Sequence, residues 1–127
     1  MIMSKIALDT NILIYLHDIN DSYKRQIAGE LVAEGTPVIS SQVVSEYLNV
    51  CNKRLKMSKE ATLESLMGWL PFCELSSVKV NIFSNAVLLI KKYKFQMFDA
   101  IIVSCALEAD CSILYSEDMQ HNLLVDK

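Results

Sequence analysis

The stretch Ile6-Ala7-Leu8-Asp9-Thr10-Asn11-Ile12-Leu13-Ile14-Tyr15-Leu16 sets a short apolar run against an acid and then resumes as a longer apolar run. It reads as a buried strand, Lys5 to Leu8, emptying into a helix from about Asn11 to His17 whose apolar sequence implies burial on most sides. An Asp-Thr-Asn step at the carboxyl end of a strand stands where open α/β sheets place their ligands. Its side chains can cap the following helix, and they can equally present oxygens to a cation. On this stretch alone both uses stay open.

Working outward, Asp18 to Ser22 is a turn cluster, and Ser22 is the expected cap of a second helix to about Glu34 with Ile27, Leu31 and Val32 at core spacing. Gly35 is expected to end it as a left-handed cap. Val38-Ile39-Ser40 is a short β-branched run and reads as the second strand, with Ser41 starting a third helix that carries Glu46. There Glu46 shares a helical row with Val43 and Val50 and borders the buried face. Ser58 caps a fourth helix to about Trp69, which stops before Pro71. Phe72 to Leu75 is a candidate strand, and a fifth helix follows from Val80 or Asn81 to Tyr93. Phe98 to Leu107 is a helix with almost no polar face and an acid, Asp99, in its first turn, where it can simply answer the helix dipole. Cys111 to Tyr115 reads as the last strand, with Ser116, Glu117 and Asp118 just beyond it. Strands alternating with helices of ten or more residues argue for an α/β layered fold around a mostly parallel sheet.

The 127 residues fit one domain, 1–127, and 52% hydrophobic residues with only 3 Gly and 2 Pro exclude a disordered or linker-rich chain. No apolar run reaches the 18 or so residues of a membrane span, so no membrane association is expected and the expected location is cytoplasmic. The four cysteines lack Cys-x-x-Cys spacing and read as buried free thiols. A net charge of −3 argues against a broad basic surface, although Lys53, Arg54, Lys56 and Lys59 form one basic run and Lys91, Lys92 and Lys94 another. Such runs serve as solvated helix ends or as phosphate contacts.

In this topology Asp9, Glu46, Asp99 and Asp118 can reach one rim of the sheet. Two carboxylates about 4 Å apart repel by roughly 4 kcal/mol near a protein surface, so four together call for a cation or shared protons. Mg²⁺ and Mn²⁺ take oxygen ligands and can activate water against a phosphodiester. There is no Gly-rich phosphate loop and no nucleophile elbow, and only His17 and His121 could do acid–base work. His17 reads as a surface residue at a helix end and His121 as a loop histidine.

Ala7-Leu8-Asp9-Thr10-Asn11-Ile12-Leu13, Ser45-Glu46, Phe98-Asp99-Ala100-Ile101-Ile102 and Tyr115-Ser116-Glu117-Asp118-Met119-Gln120-His121, in that order and spacing, resemble the PIN domain, specifically the bacterial VapC-like toxins. The resemblance implies a Rossmann-like sandwich with a mostly parallel five-stranded sheet. It implies cleavage of single-stranded RNA with Mg²⁺ or Mn²⁺, a homodimer, and inhibition by a cognate antitoxin. It carries the family's four acids onto Asp9, Glu46, Asp99 and Asp118, with Asn11 and Ser116 as polar supports. Adjacent side chains leave a strand end in opposite directions, so one of Glu117 and Asp118 is expected at the site; the resemblance favours Asp118. Two departures stand out: Asn122 replaces a Gly frequent in the family, and only Leu123-Leu124-Val125 is available for a shortened last strand. The competing functions are a catalytically silent PIN-fold module that binds nucleic acid or protein, and another acidic-pocket α/β domain. A receiver would need paired acids after the first strand, and an aspartate-nucleophile phosphatase would need Asp where Asn11 stands. For the dimer, the fourth and fifth helices are the expected surface.

Overall fold

The structure is a computed structural model and describes residues 5–116, apart from the side chain of Glu34. Strand β1 (Ile6–Leu8) leads into α1 (Thr10–Ile14), which tightens into a 3-10 turn at Tyr15–His17. Helix α2 (Ser22–Gly35), strand β2 (Val38–Ser40), α3 (Ser41–Lys53) and α4 (Lys59–Trp69) follow, and after a 3-10 turn at Leu70–Phe72 come β3 (Glu74–Ser76), α5 (Val80–Tyr93), α6 (Met97–Glu108) and β4 (Ile113–Tyr115). The strands form one sheet in the order β3-β2-β1-β4, every pair parallel, so the expected α/β fold is observed.

This order positions the site. The chain steps outward from β1 to β2 to β3 and then returns to place β4 on the other side of β1, which makes the β1–β4 boundary the switch point where open α/β sheets bind ligands. The ladder pairs Leu8 with Tyr115, and the amide of Asp9 donates to the carbonyl of Tyr115 at 2.9 Å. Asp9 and Ser116 therefore leave the sheet side by side.

The core follows from the apolar spacing. Leu8, Leu13, Ile39, Val43, Tyr47 and Val103 are fully buried, each aliphatic side chain among them stabilising the fold by about 1.5–3 kcal/mol. Helix α6 is central, with every residue from Ala100 to Ala106 buried, as its lack of a polar face requires. Ile82 and Ala86 of α5 close a smaller cluster against Ala100, Ile101 and Cys105.

Several local expectations are corrected. Gly35 stays helical, and the left-handed residue is Thr36 at φ 42°. Thr36 is β-branched and precedes Pro37, both of which favour extended backbone, so its left-handed conformation is strained. Gly35 is needed for closeness instead, because a Cβ there would lie 3.1 Å from the Ile6 side chain. The cap of α2 is Asp21, which accepts from the amide of Lys24, and that of α3 is Ser40, which accepts from the amide of Val43. Ser41, freed from capping, accepts from the amide of Val78 and ties α3 to the approach of α5. The α2 stripe is rotated by one residue: Ala28 and Val32 are buried, Leu31 is half-buried and Ile27 is exposed. The third strand begins at Glu74, two residues later than expected, because Pro71 favours the 3-10 turn. The described residues contain four strands, and the expected fifth, at Leu123-Leu124-Val125, lies outside them. Among the described residues no helix is long and apolar enough to cross a membrane.

Candidate active site

Asp9 is buried as the cap of α1, its Oδ1 accepting from the amide of Thr10 at 2.7 Å. Its other oxygen, Oδ2, accepts from the hydroxyl of Ser116 at 2.6 Å, a contact that joins the ends of β1 and β4. The cap reading and the site reading of Asp9 are thus compatible: one oxygen caps the helix and the other faces the switch point.

Glu46 comes to the same place from α3. Its Oε1 accepts from the hydroxyl of Thr10 at 2.8 Å, and its Oε2 accepts from the side-chain amide of Gln42 at 3.0 Å. Thr10 therefore serves both acids, its amide bound to Asp9 and its hydroxyl to Glu46. The sequence marked Thr10 only as part of the Asp-Thr-Asn step, and Gln42 was not singled out. An amide four residues before the acid on one helix was the available signal, since such pairs face each other.

Asn11 is half-buried in the first turn of α1. Asp99 is half-buried in the first turn of α6, the helix that packs on both α3 and β2. Asp118, Glu117 and His121 lie outside the described residues. Among the described residues no group of three His, Cys, Asp or Glu side chains is placed to hold a metal ion. Asp9 and Glu46 both bind Thr10, one through its amide and the other through its hydroxyl. Their donor set is all oxygen, and Mg²⁺ is commonly held by one or two carboxylates with waters completing its shell, so the pair fits a hard divalent cation.

His17 overturns its surface reading. It is half-buried, with Nε2 2.7 Å from the Tyr47 hydroxyl, 3.3 Å from Ser65 Oγ and 3.8 Å from Cys51 Sγ. Tyr47 Oη lies 2.7 Å from Ser65 Oγ as well. This polar cluster pins the far end of the α1 segment to α3 and α4, and burial holds the imidazole below its usual pKa of 6.5. All four cysteines are free, and burial pushes the thiols of Cys73 and Cys105 up to about 11, which removes them as nucleophiles.

The PIN domain family profile matches residues 6–124. Among solved structures, a Mycobacterium tuberculosis VapC20 toxin described as cleaving the sarcin-ricin loop superposes with a TM-score of 0.72 at 16% identity, covering 91% of this chain and 92% of that one. A Klebsiella pneumoniae toxin–antitoxin complex gives 0.69 at 22% identity, covering 93% and 89%. VapBC2 of Rickettsia felis, bound to a DNA fragment from its promoter, gives 0.67 at 21%, covering 87% and 86%. No curated protein sequence matches. At these identities the superpositions establish the shared fold.

Proposed function

The chain belongs to the PIN domain family, and from that premise we propose that it is a metal-dependent endoribonuclease of single-stranded RNA, acting in the cytoplasm as the toxin of a toxin–antitoxin pair. The observation that carries this reading is the joining of Asp9 and Glu46 through Thr10 at the switch point of the sheet. In this reading Asp9, Glu46, Asp99 and Asp118 hold the metal, while Asn11 and Ser116 support them.

A bound Mg²⁺ or Mn²⁺ would supply an activated water for attack on the phosphodiester and stabilise the leaving oxygen. The chain's own residues do the positioning. Ser116 and the Thr10 amide hold the Asp9 carboxylate from opposite oxygens, and Thr10 keeps Glu46 in register with it. Fixed in advance, these carboxylates need little reorganisation when the cation arrives.

An antitoxin partner is supported by the likeness to chains solved within toxin–antitoxin complexes. A homodimer is supported by apolar side chains left exposed on α4 and α5, among them Leu63, Met67, Phe83, Val87 and Leu88. The test of the activity uses purified protein and end-labelled single-stranded RNA. Cleavage is expected with manganese, lost in EDTA and restored by added metal; cleavage that persists in EDTA would overturn the metal dependence, and none under any metal while RNA still binds would replace the nuclease with the silent module.

A further inference from the structure

Glu46 is the acid with the longest reach from its backbone, and a free glutamate spreads over many rotamers. Here each of its oxygens is held by a different element, Oε1 by Thr10 of α1 and Oε2 by Gln42, one helical turn earlier on α3. A carboxylate has about four lone-pair sites, so two hydrogen bonds fix its plane and still leave capacity for a cation. Thr10 alone would hold one oxygen and leave the group free to swing about it. The donor that stops the swing is Gln42, and because a carboxylate only accepts, its amide nitrogen faces Glu46.

We propose that Gln42 is a positioning residue of the metal site, orienting the Glu46 carboxylate so that the cation meets a ligand already in place. The inference rests on the metal-dependent reading above and deepens it. An ordinary exposed glutamine–glutamate pair at this spacing would only support its helix slightly. This one differs because its acceptor is simultaneously bound to Thr10, whose amide holds Asp9. Losing the Gln42 donor would therefore act on the cation rather than on the fold.

The experiment measures Mn²⁺ binding by calorimetry for the wild type and Gln42→Met, which keeps the length of the side chain and removes the donor. Partners that orient ligands typically change metal affinity by 10–100-fold, so the manganese Kd of Gln42→Met should rise about tenfold. Its melting temperature without metal and its affinity for RNA should stay at the wild-type values. A manganese affinity within twofold of wild type overturns the inference. Should Gln42→Met fail to fold, Gln42→Asn decides, since it keeps the polarity and only shortens the reach; it too should lose about tenfold. A wild-type protein that binds no manganese overturns the metal reading itself, a failure told apart because no variant is involved.

Discussion

Asp9→Asn is expected to reduce manganese-dependent RNA cleavage to background while leaving a folded protein. Asn keeps one carbonyl oxygen, which can still accept from the Thr10 amide and cap α1. The Ser116 hydroxyl, which donates to Asp9 in the wild type, can turn to accept from the new amide. What the substitution removes is the negative charge beside Glu46, and that charge is the reason a divalent cation would settle there. Relief of repulsion between acids offsets part of any lost hydrogen-bond strength, so the metal-free melting temperature should move by only a few degrees. Cleavage assays and thermal melts of the same preparation check both halves. An Asp9→Asn protein that cleaves like wild type would remove Asp9 from the chemistry, and one that unfolds would make its cap role dominant.

Tyr47→Ala should be the most damaging substitution to stability. Tyr47 is fully buried, meets Trp69 edge-on at 5.1 Å between ring centroids, and bonds through its hydroxyl to both His17 and Ser65. Removing a buried aromatic side chain costs about 3–5 kcal/mol, a large share of the roughly 5–15 kcal/mol that holds a domain together. The melting temperature should fall by more than about 10 °C; a fall of under about 3 °C would show that the cavity collapses freely. The same melts carry a pH signature. The folded pKa of His17 lies below its unfolded value of 6.5, so the unfolded chain binds the extra proton first as pH drops. The stability from the neutral imidazole is therefore complete above about 6.5 and is lost as pH falls toward the folded value. His17→Gln should lose less stability between pH 7.5 and 5.5 than the wild type.

The fold was legible where one physical signal dominated. The apolar run of α6 could only be central, and the alternation of β1, α2, β2 and α3 could only build a parallel sheet. Errors fell where two local signals competed. Ser40 and Ser41 are both good caps, and the choice was made by Val78, distant in sequence, which engages Ser41. Gly35 looked like the left-handed residue because nothing in the sequence showed Ile6 lying against it. Asp9 stood out as an acid at a strand end and Glu46 as an acid bordering the buried face of a helix, whereas Ser116 was singled out only through the family resemblance; the structure places Asp9 against Ser116 and binds Glu46 to Thr10. His17, Thr10 and Gln42 owe their roles to contacts across 30, 36 and 4 residues, and of these only the last has a local spacing that could have been read.

Manganese can be located directly in crystals of the wild-type protein soaked with MnCl₂, through its anomalous scattering. The expected result is a single strong peak at the carboxyl end of β1, within about 2.0–2.6 Å of carboxylate oxygens of both Asp9 and Glu46, as oxygen ligation of hard divalent cations requires. A peak elsewhere on the protein, or an empty site between these two acids at millimolar manganese, would contradict the metal-dependent nuclease.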